Sequence, residues 1–270
     1  YTLWHTLSLH DALPISETCE EVGIDLSTVA PTSASASNYS SLLWDDGGAA
    51  GDFDDASQLH PTYTPAVGQT GDVILTLTAN GNGSCGPVSD NMTLTITPAP
   101  VANAGSDEET CQGVNFDFST ATILADSTNA SSVLWDDGGA PGNFDDASKI
   151  HPIYIPTAGQ TGDVTMTLTV NGNGGCSPAT DQMTLTITPA PTVDAGDDAS
   201  TCESVGIDLS TVLPTSASAS NYGSLLWDDG GAPGDFDDAG QLHPTYTPVA
   251  GQTGDVILTL TANGNGSCGP

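Results

Sequence analysis

Five carboxylates fall within eleven residues, at Asp45, Asp46, Asp52, Asp54 and Asp55, folded around Gly47, Gly48 and Gly51. The cluster returns as Asp136, Asp137, Asp145 and Asp146, and again as Asp228, Asp229, Asp235, Asp237 and Asp238. Carboxylates on a backbone that glycine lets turn tightly suit a hard cation, and Ca²⁺ takes about six to eight oxygens from such loops. The spacing matches neither an EF-hand nor a calcium-binding nonapeptide repeat, so it indicates a chemistry without a named motif. The competing reading is a solvated acidic turn, or general acidity suited to salt. Catalysis finds little foothold. There is no nucleophile elbow, no HExxH and no phosphate loop. The paired carboxylates share one turn instead of facing each other across a cleft, and the chain carries the arrangement three times. An enzyme is not expected.

Six cysteines form the second reactive set: Cys19, Cys111 and Cys202 in one series, Cys85, Cys176 and Cys268 in the other. Members of the two series stand about 65 residues apart, with no CxxC and no nearby His/Cys partner for zinc. One pair per small domain reads as a disulfide formed in an oxidising compartment. The expected pairs are Cys19–Cys85, Cys111–Cys176 and Cys202–Cys268, each closing a loop worth roughly 4 kcal/mol in the chain-entropy model. Trp44, Trp135 and Trp227 follow apolar residues and read as core, not as sugar-stacking platforms. His60, His151 and His243 precede prolines and read as hydrogen-bonded structural residues. Lys149, the single cation, reads as a local surface substitution in the second repeat.

The elements that position these groups repeat. Trp44 to Trp135 spans 91 residues and Trp135 to Trp227 spans 92, and both cysteine series keep the beat. A fixed period of this length marks a tandem array. Residues 19–87 and 202–270 align without gaps and differ at only seven positions. Composition agrees with strands and turns: 37% hydrophobic, 13% charged, and otherwise rich in Thr, Ser and Gly. In Val73 to Ala79 the residues Val73, Leu75, Leu77 and Ala79 share a face, and Met92, Leu94 and Ile96 repeat the period of two. Gly23 to Leu26 and Ser41 to Trp44 read as further strands, Asn80 to Gly83 as a tight turn, and Pro61 to Pro65 as a proline-bounded edge strand. Six or seven short strands per period predict an all-β fold of β-sandwiches. The net charge of −33 repels nucleic acid and anionic membranes, and no run of about 18 apolar residues predicts a span.

The strand Trp, the cysteine pair and the Tyr-bearing edge resemble immunoglobulin-like domains. The series Cys19-Glu20, Leu43-Trp44, the acidic glycine-rich hairpin, Pro61-Thr62-Tyr63-Thr64-Pro65, Gly71 to Gly81 and Cys85 is similar to PKD-like tandem repeats of large secreted bacterial surface proteins. The resemblance covers residues 17–270, although Asp-Asp-Gly-Gly and Asp-Phe-Asp-Asp replace the usual Trp-Asp-Phe-Gly-Asp-Gly core. It implies three sandwiches, at 17–99, 100–190 and 191–270, joined by stiff linkers at Pro98-Ala99-Pro100 and Pro189-Ala190-Pro191 into an extended rod. In that topology each acidic hairpin faces the next domain, where Asp107, Glu108 and Glu109, or Asp194, Asp197 and Asp198, would complete an inter-domain Ca²⁺ site. Residues 1–16 stand outside the pattern. Thr6 to Ile15 resembles a translated sequencing adapter, so the segment is read as artefactual, in the position of a preceding strand and linker, and Trp4, His5 and His10 receive no role.

The third repeat stops at the counterpart of Pro87, before its last strand. Either the natural array continues or one copy donates a strand to another head to tail; the artefactual first segment favours the continuing array. The expected function is structural: a secreted, extracellular or cell-surface filament or adhesin stalk, with itself as partner. The alternative is an adhesin module that binds glycans or another surface ligand.

Overall fold

The computed structural model describes residues 8–9, 16–29 and 33–269. The expectations placed on Trp4, His5, His10 and nearly all of residues 1–16 lie outside them. Contacts gather the chain into two units. One comprises Tyr1–Asn103, Asp126–Leu134 and Leu168–Asp181; the other comprises Ala104–Ala125, Trp135–Thr167 and Gln182–Pro270.

The described residues are all-β, apart from two short 3₁₀ turns at Phe118–Thr120 and Leu209–Thr211. In the first repeat the strands are β1 (Ser8–Leu9), β2 (Ser16–Cys19), β3 (Ile24–Asp25), β4 (Ala36–Ser37), β5 (Tyr39–Asp45), β6 (Asp52–Phe53), β7 (Thr62–Thr64), β8 (Gly71–Gly81) and β9 (Val88–Thr97). One sheet has the order β2-β9-β8-β5 and the other the order β3-β7-β6. This is the two-sheet division of an immunoglobulin-like sandwich, with β2 running parallel to β9 and the long β8–β9 hairpin antiparallel. The inward residues are the ones the alternation indicates: Val73, Leu75, Leu77 and Ala79 from β8, and Met92, Leu94 and Ile96 from β9, are all buried. They pack with Leu26, Leu42, Trp44 and Tyr63 in one core.

Strand β7 corrects an expectation. It lies between β3 and β6 as the middle strand of its sheet, not at an edge. The reason is local: Pro61 and Pro65 stand just outside Thr62–Thr64, so neither removes a donor from the pairing residues. In the slot where Val101–Asn103 pairs with Asp126–Thr128, the first repeat has Ser8–Leu9 pairing with Ala36–Ser37. The third repeat pairs Tyr222–Asp228 with Thr259–Gly264 in a two-stranded ladder. There Leu260 and Ala262 remain buried, whereas Leu258, the counterpart of fully buried Leu75, is only half-buried.

Candidate functional site

The acidic hairpins turn their carboxylates onto their own backbone. Asp45 Oδ1 accepts from Gly47 N (2.6 Å) and Asp46 Oδ1 from Gly48 N (3.0 Å), while Asp46 Oδ2 accepts from the Tyr63 hydroxyl (3.3 Å). Asp54 Oδ1 accepts from Asp55 N and Thr62 N, and Asp55 holds Ser57 N, Ser57 Oγ and Gln58 Nε2. The second repeat repeats this: Asp136 and Asp137 cap Gly138 and Gly139, Asp145 accepts from Ile153 N, and Asp146 holds Ser148. The third does so with Asp228 and Asp229 on Gly230 and Gly231, Asp237 on Asp238 N and Thr245 N, and Asp238 on Gly240 N and Gln241. Asp235 accepts from Phe236 N, and Asp52 lies exposed on β6. Gly47 and Gly48 adopt positive φ of 71° and 82°, which the Asx-capped turn demands.

Hydrogen bonds to the charged form hold several of these acids below the ordinary carboxylate range. The Ser57 hydroxyl does this for Asp55, the Ser148 hydroxyl for Asp146 and the Gln241 amide for Asp238. Lys149 Nζ lies 2.8 Å from Asp145 Oδ2 and lowers that acid in the same way, so the single cation is a surface ion-pair partner.

The proposed second half of each cation site is engaged too. Asp107 accepts from Thr184 N (2.7 Å), and Glu108 from Ser106 Oγ and Thr122 N. Asp194 accepts from Gly196 N (2.9 Å), Asp197 from Thr215 N and Oγ1, and Asp198 is exposed. Among the described residues no three His, Cys, Asp or Glu side chains gather in a group able to hold a metal ion.

The tryptophans and histidines sit where their types require. Trp44, Trp135 and Trp227 are buried, each donating its indole N–H to a carbonyl fifteen residues on: Leu59, Ile150 and Leu242. The Nε2 atoms of His60, His151 and His243 lie 2.8–2.9 Å from the carbonyls of Ala34, Ala125 and Ala217.

The cysteines pair in a way that their spacing did not indicate. Disulfides join Cys19 to Cys176 and Cys111 to Cys268, each 157 residues apart with Cα atoms 4.9 Å from one another. The expected pairs Cys19–Cys85, Cys111–Cys176 and Cys202–Cys268 are corrected: each bridge runs from one repeat to the next, and Cys85 and Cys202 are exposed free thiols. The register of β2 on β9 explains it. Cys19 stands beside Thr97, at the end of β9, whereas Cys85 precedes Val88, at its start. Ten residues of strand separate those ends by about 30 Å, far beyond the reach of a disulfide. Thr97 is also where the linker leaves for the next repeat, so Cys19 meets a loop from that repeat.

Each bridge sits in a polar clasp. In the first unit, Glu20 accepts from Ala99 N (2.8 Å) and Gly68 N (3.2 Å), pinning the linker to the repeat it leaves. The Thr97 hydroxyl lies 3.0 Å from the Thr18 carbonyl and 3.3 Å from Cys176 Sγ. Asn129 Nδ2 donates to Ala99 O (2.8 Å) from the other side of the joint. Gly174 has φ +56°, and a Cβ there would run into the Thr97 side chain, so the loop needs glycine on both counts. In the second unit Gln112 accepts from Ala190 N (3.1 Å), Thr188 donates to Glu109, and Asn221 Nδ2 donates to Ala190 O (3.2 Å). All four bridged cysteines are buried.

No family model matches the chain, and no curated protein matches it. Among solved structures it is similar to a three-domain immunoglobulin fragment of titin carrying E-to-A mutations, with 9% identity, a TM-score of 0.48, and coverage of 95% of this chain and 96% of that one. It is also similar to the N-terminal eight immunoglobulin domains of Down Syndrome Cell Adhesion Molecule, with 9% identity, a TM-score of 0.40, and coverage of 95% and 41%. The sandwich assignment rests on the strand pairings themselves.

Proposed function

We propose that the chain is a structural repeat module of an extracellular or cell-surface filament or stalk, in which each repeat is locked covalently to the next. The observation that carries this reading is the pair of disulfides in identical register, Cys19–Cys176 and Cys111–Cys268. Their loops interlace. A single backbone cut anywhere between Cys19 and Cys268 leaves the two pieces joined by at least one bridge. Between those cysteines the load also has several covalent routes, two of which share no backbone: Cys19 to Cys111 and the second bridge, or the first bridge and Cys176 to Cys268. Redundancy of this kind serves a protein that must survive tension and proteases outside the cell, where disulfides persist.

The test is to recover the protein from its native source and map its cysteines. Surface or secreted material carrying Cys19–Cys176 and Cys111–Cys268 supports the reading; intracellular material with all thiols reduced overturns it. The near-invariant hairpins give a glycan-binding role no residue-level support of its own, and strong loop-dependent binding on a glycan array would reverse the order of the two readings.

A further inference from the structure

Asn-Gly pairs stand two to a repeat, at Asn80-Gly81 and Asn82-Gly83, Asn171-Gly172 and Asn173-Gly174, and Asn263-Gly264 and Asn265-Gly266. In such a pair the glycine nitrogen can attack the side-chain carbonyl carbon of the asparagine before it, because no Cβ hinders the approach. The fold treats the two pairs of each repeat differently. The first ends a strand, with its side chain tied across the ladder: Nδ2 of Asn80, Asn171 and Asn263 donates to the hydroxyls of Ser41, Ser132 and Ser224 at 2.9–3.0 Å. Gly81 and Gly264 are themselves paired, with Tyr39 and Tyr222. The second pair lies just past the strand, with its asparagine exposed and its glycine in the left-handed region, at φ +64°, +56° and +53° for Gly83, Gly174 and Gly266. In the two bridged loops that glycine has no substitute. A Cβ on Gly174 would strike the Thr97 side chain, and one on Gly266 the Glu109 carboxylate. The close docking of each clasp therefore demands the residue that leaves the preceding asparagine open to attack.

We infer that Asn173 and Asn265 are sites of self-modification, converting with time to isoaspartate and loosening the turns that present Cys176 and Cys268. At the first, Gly174 N bonds to Asn173 Cγ, the Cγ–Nδ2 bond breaks, and the amide leaves as ammonia carrying the glycine N–H proton. Water then opens the five-membered imide at the Asn173 backbone carbonyl carbon, which becomes a free carboxylate while the chain now runs through Cγ. One water is consumed, one ammonia is released, and no oxidant takes part. The product adds a methylene to the backbone of a turn that Cys176 N closes by donating to Asn173 O (3.0 Å), and it deletes the amide that donates to Asn129 O (3.3 Å). Cys268 N closes the second turn on Asn265 O (3.0 Å), and there the new carboxylate arises beside Glu109, which accepts from Ser267 N (3.3 Å). The S–S bonds are untouched, so the joint stays covalent while its polar contacts are lost.

The test incubates the whole oxidised chain in mildly alkaline buffer and follows each Asn-Gly pair by mass mapping with fragmentation that resolves isoaspartate. A parallel sample is held in concentrated denaturant with its bridges intact. In the folded protein Asn173 and Asn265 are expected to convert at least about tenfold faster than Asn171 and Asn263, the factor that about 1.4 kcal/mol of strand opening imposes. In denaturant the two sets should converge. Asn173→Gln should stop conversion at that position and leave Asn265 reacting. In the converted fraction the Cys176 amide should lose protection from hydrogen exchange, and in the Asn173→Gln variant it should keep it. Equal rates for the two sets in the folded protein, faster conversion at the strand positions, or a Cys176 amide whose protection survives conversion would each overturn the inference.

Discussion

The bridge register predicts how far the chain stretches when it is unfolded by force. After alkylation of Cys85 and Cys202, the oxidised molecule is pulled from its ends. Between Cys19 and Cys268 the shortest covalent route is about 65 residues, across one bridge to Cys176, back along the backbone to Cys111 and across the other bridge. At about 3.5 Å per extended residue this stretch reaches about 230 Å, and about 870 Å once both bridges are reduced. Reduction therefore lengthens the fully unfolded molecule by about 640 Å. Pairing inside each repeat makes a different prediction: three short-circuits leave roughly 52 residues between the same cysteines, and reduction adds about 690 Å. The assay is single-molecule force spectroscopy with and without a thiol reductant. A gain near 690 Å, or failure of the alkylating reagent to find two thiols beforehand, would refute the inter-repeat register.

Four further outcomes follow from the same geometry. Replacing Cys19 and Cys176 by Ser removes a 157-residue loop constraint worth about 5 kcal/mol, so calorimetry should show a Tm lowered by roughly 10–20 °C; Cys85→Ser should leave Tm unchanged, and the reverse order would restore intra-repeat pairing. Gly51→Ala drives a Cβ into the Tyr63 hydroxyl and the Thr64 carbonyl, and should cost about 1–3 kcal/mol in urea unfolding; an unshifted midpoint would contradict the close approach. Asp55, held below its ordinary value by Ser57, should titrate below 3.8 by carboxyl NMR. Because the folded-state value is the lower one, its stabilisation is complete above the unfolded value and fades as pH falls through the folded one, so Asp55→Asn should be destabilised near neutrality and not in strong acid. At matched ionic strength, chelator should leave Tm unchanged, because the hairpin carboxylates already bind their own turns; a calcium-specific rise removed by Asp46→Asn would overturn that.

Much of the fold was legible because a period of two is a local property. Val73, Leu75 and Leu77 declare their buried face without reference to any other strand. Trp44 and His60 were legible for the same reason, each carrying an apolar body or a ring nitrogen that finds one nearby carbonyl. Where Pro61 to Pro65 misled, the sheet position depended on pairing partners that proline spacing does not report. What the carboxylate density did not report is the local turn chemistry, in which Asp45 accepts from Gly47 N and Asp55 from Ser57 N two residues on. The bridge partner was illegible in principle. In a tandem array every repeat offers the same two cysteines, so pairing within a repeat and pairing one period further on both keep the period. Only the parallel docking of β2 on β9, which carries Cys19 to the exit of its own sandwich, separates them.

That docking also bears on why the lock is covalent. The chain carries a net charge of −33, so successive repeats repel, and the repulsion reaches about 10 Å at 0.1 M salt and farther in dilute media. A joint built only from hydrogen bonds such as Glu20 to Ala99 N and Asn129 to Ala99 O would work against that repulsion, with bonds worth about 1 kcal/mol each in net terms. A disulfide is indifferent to ionic strength. Placing it where the linker leaves the sandwich lets the acidic surface keep its charge.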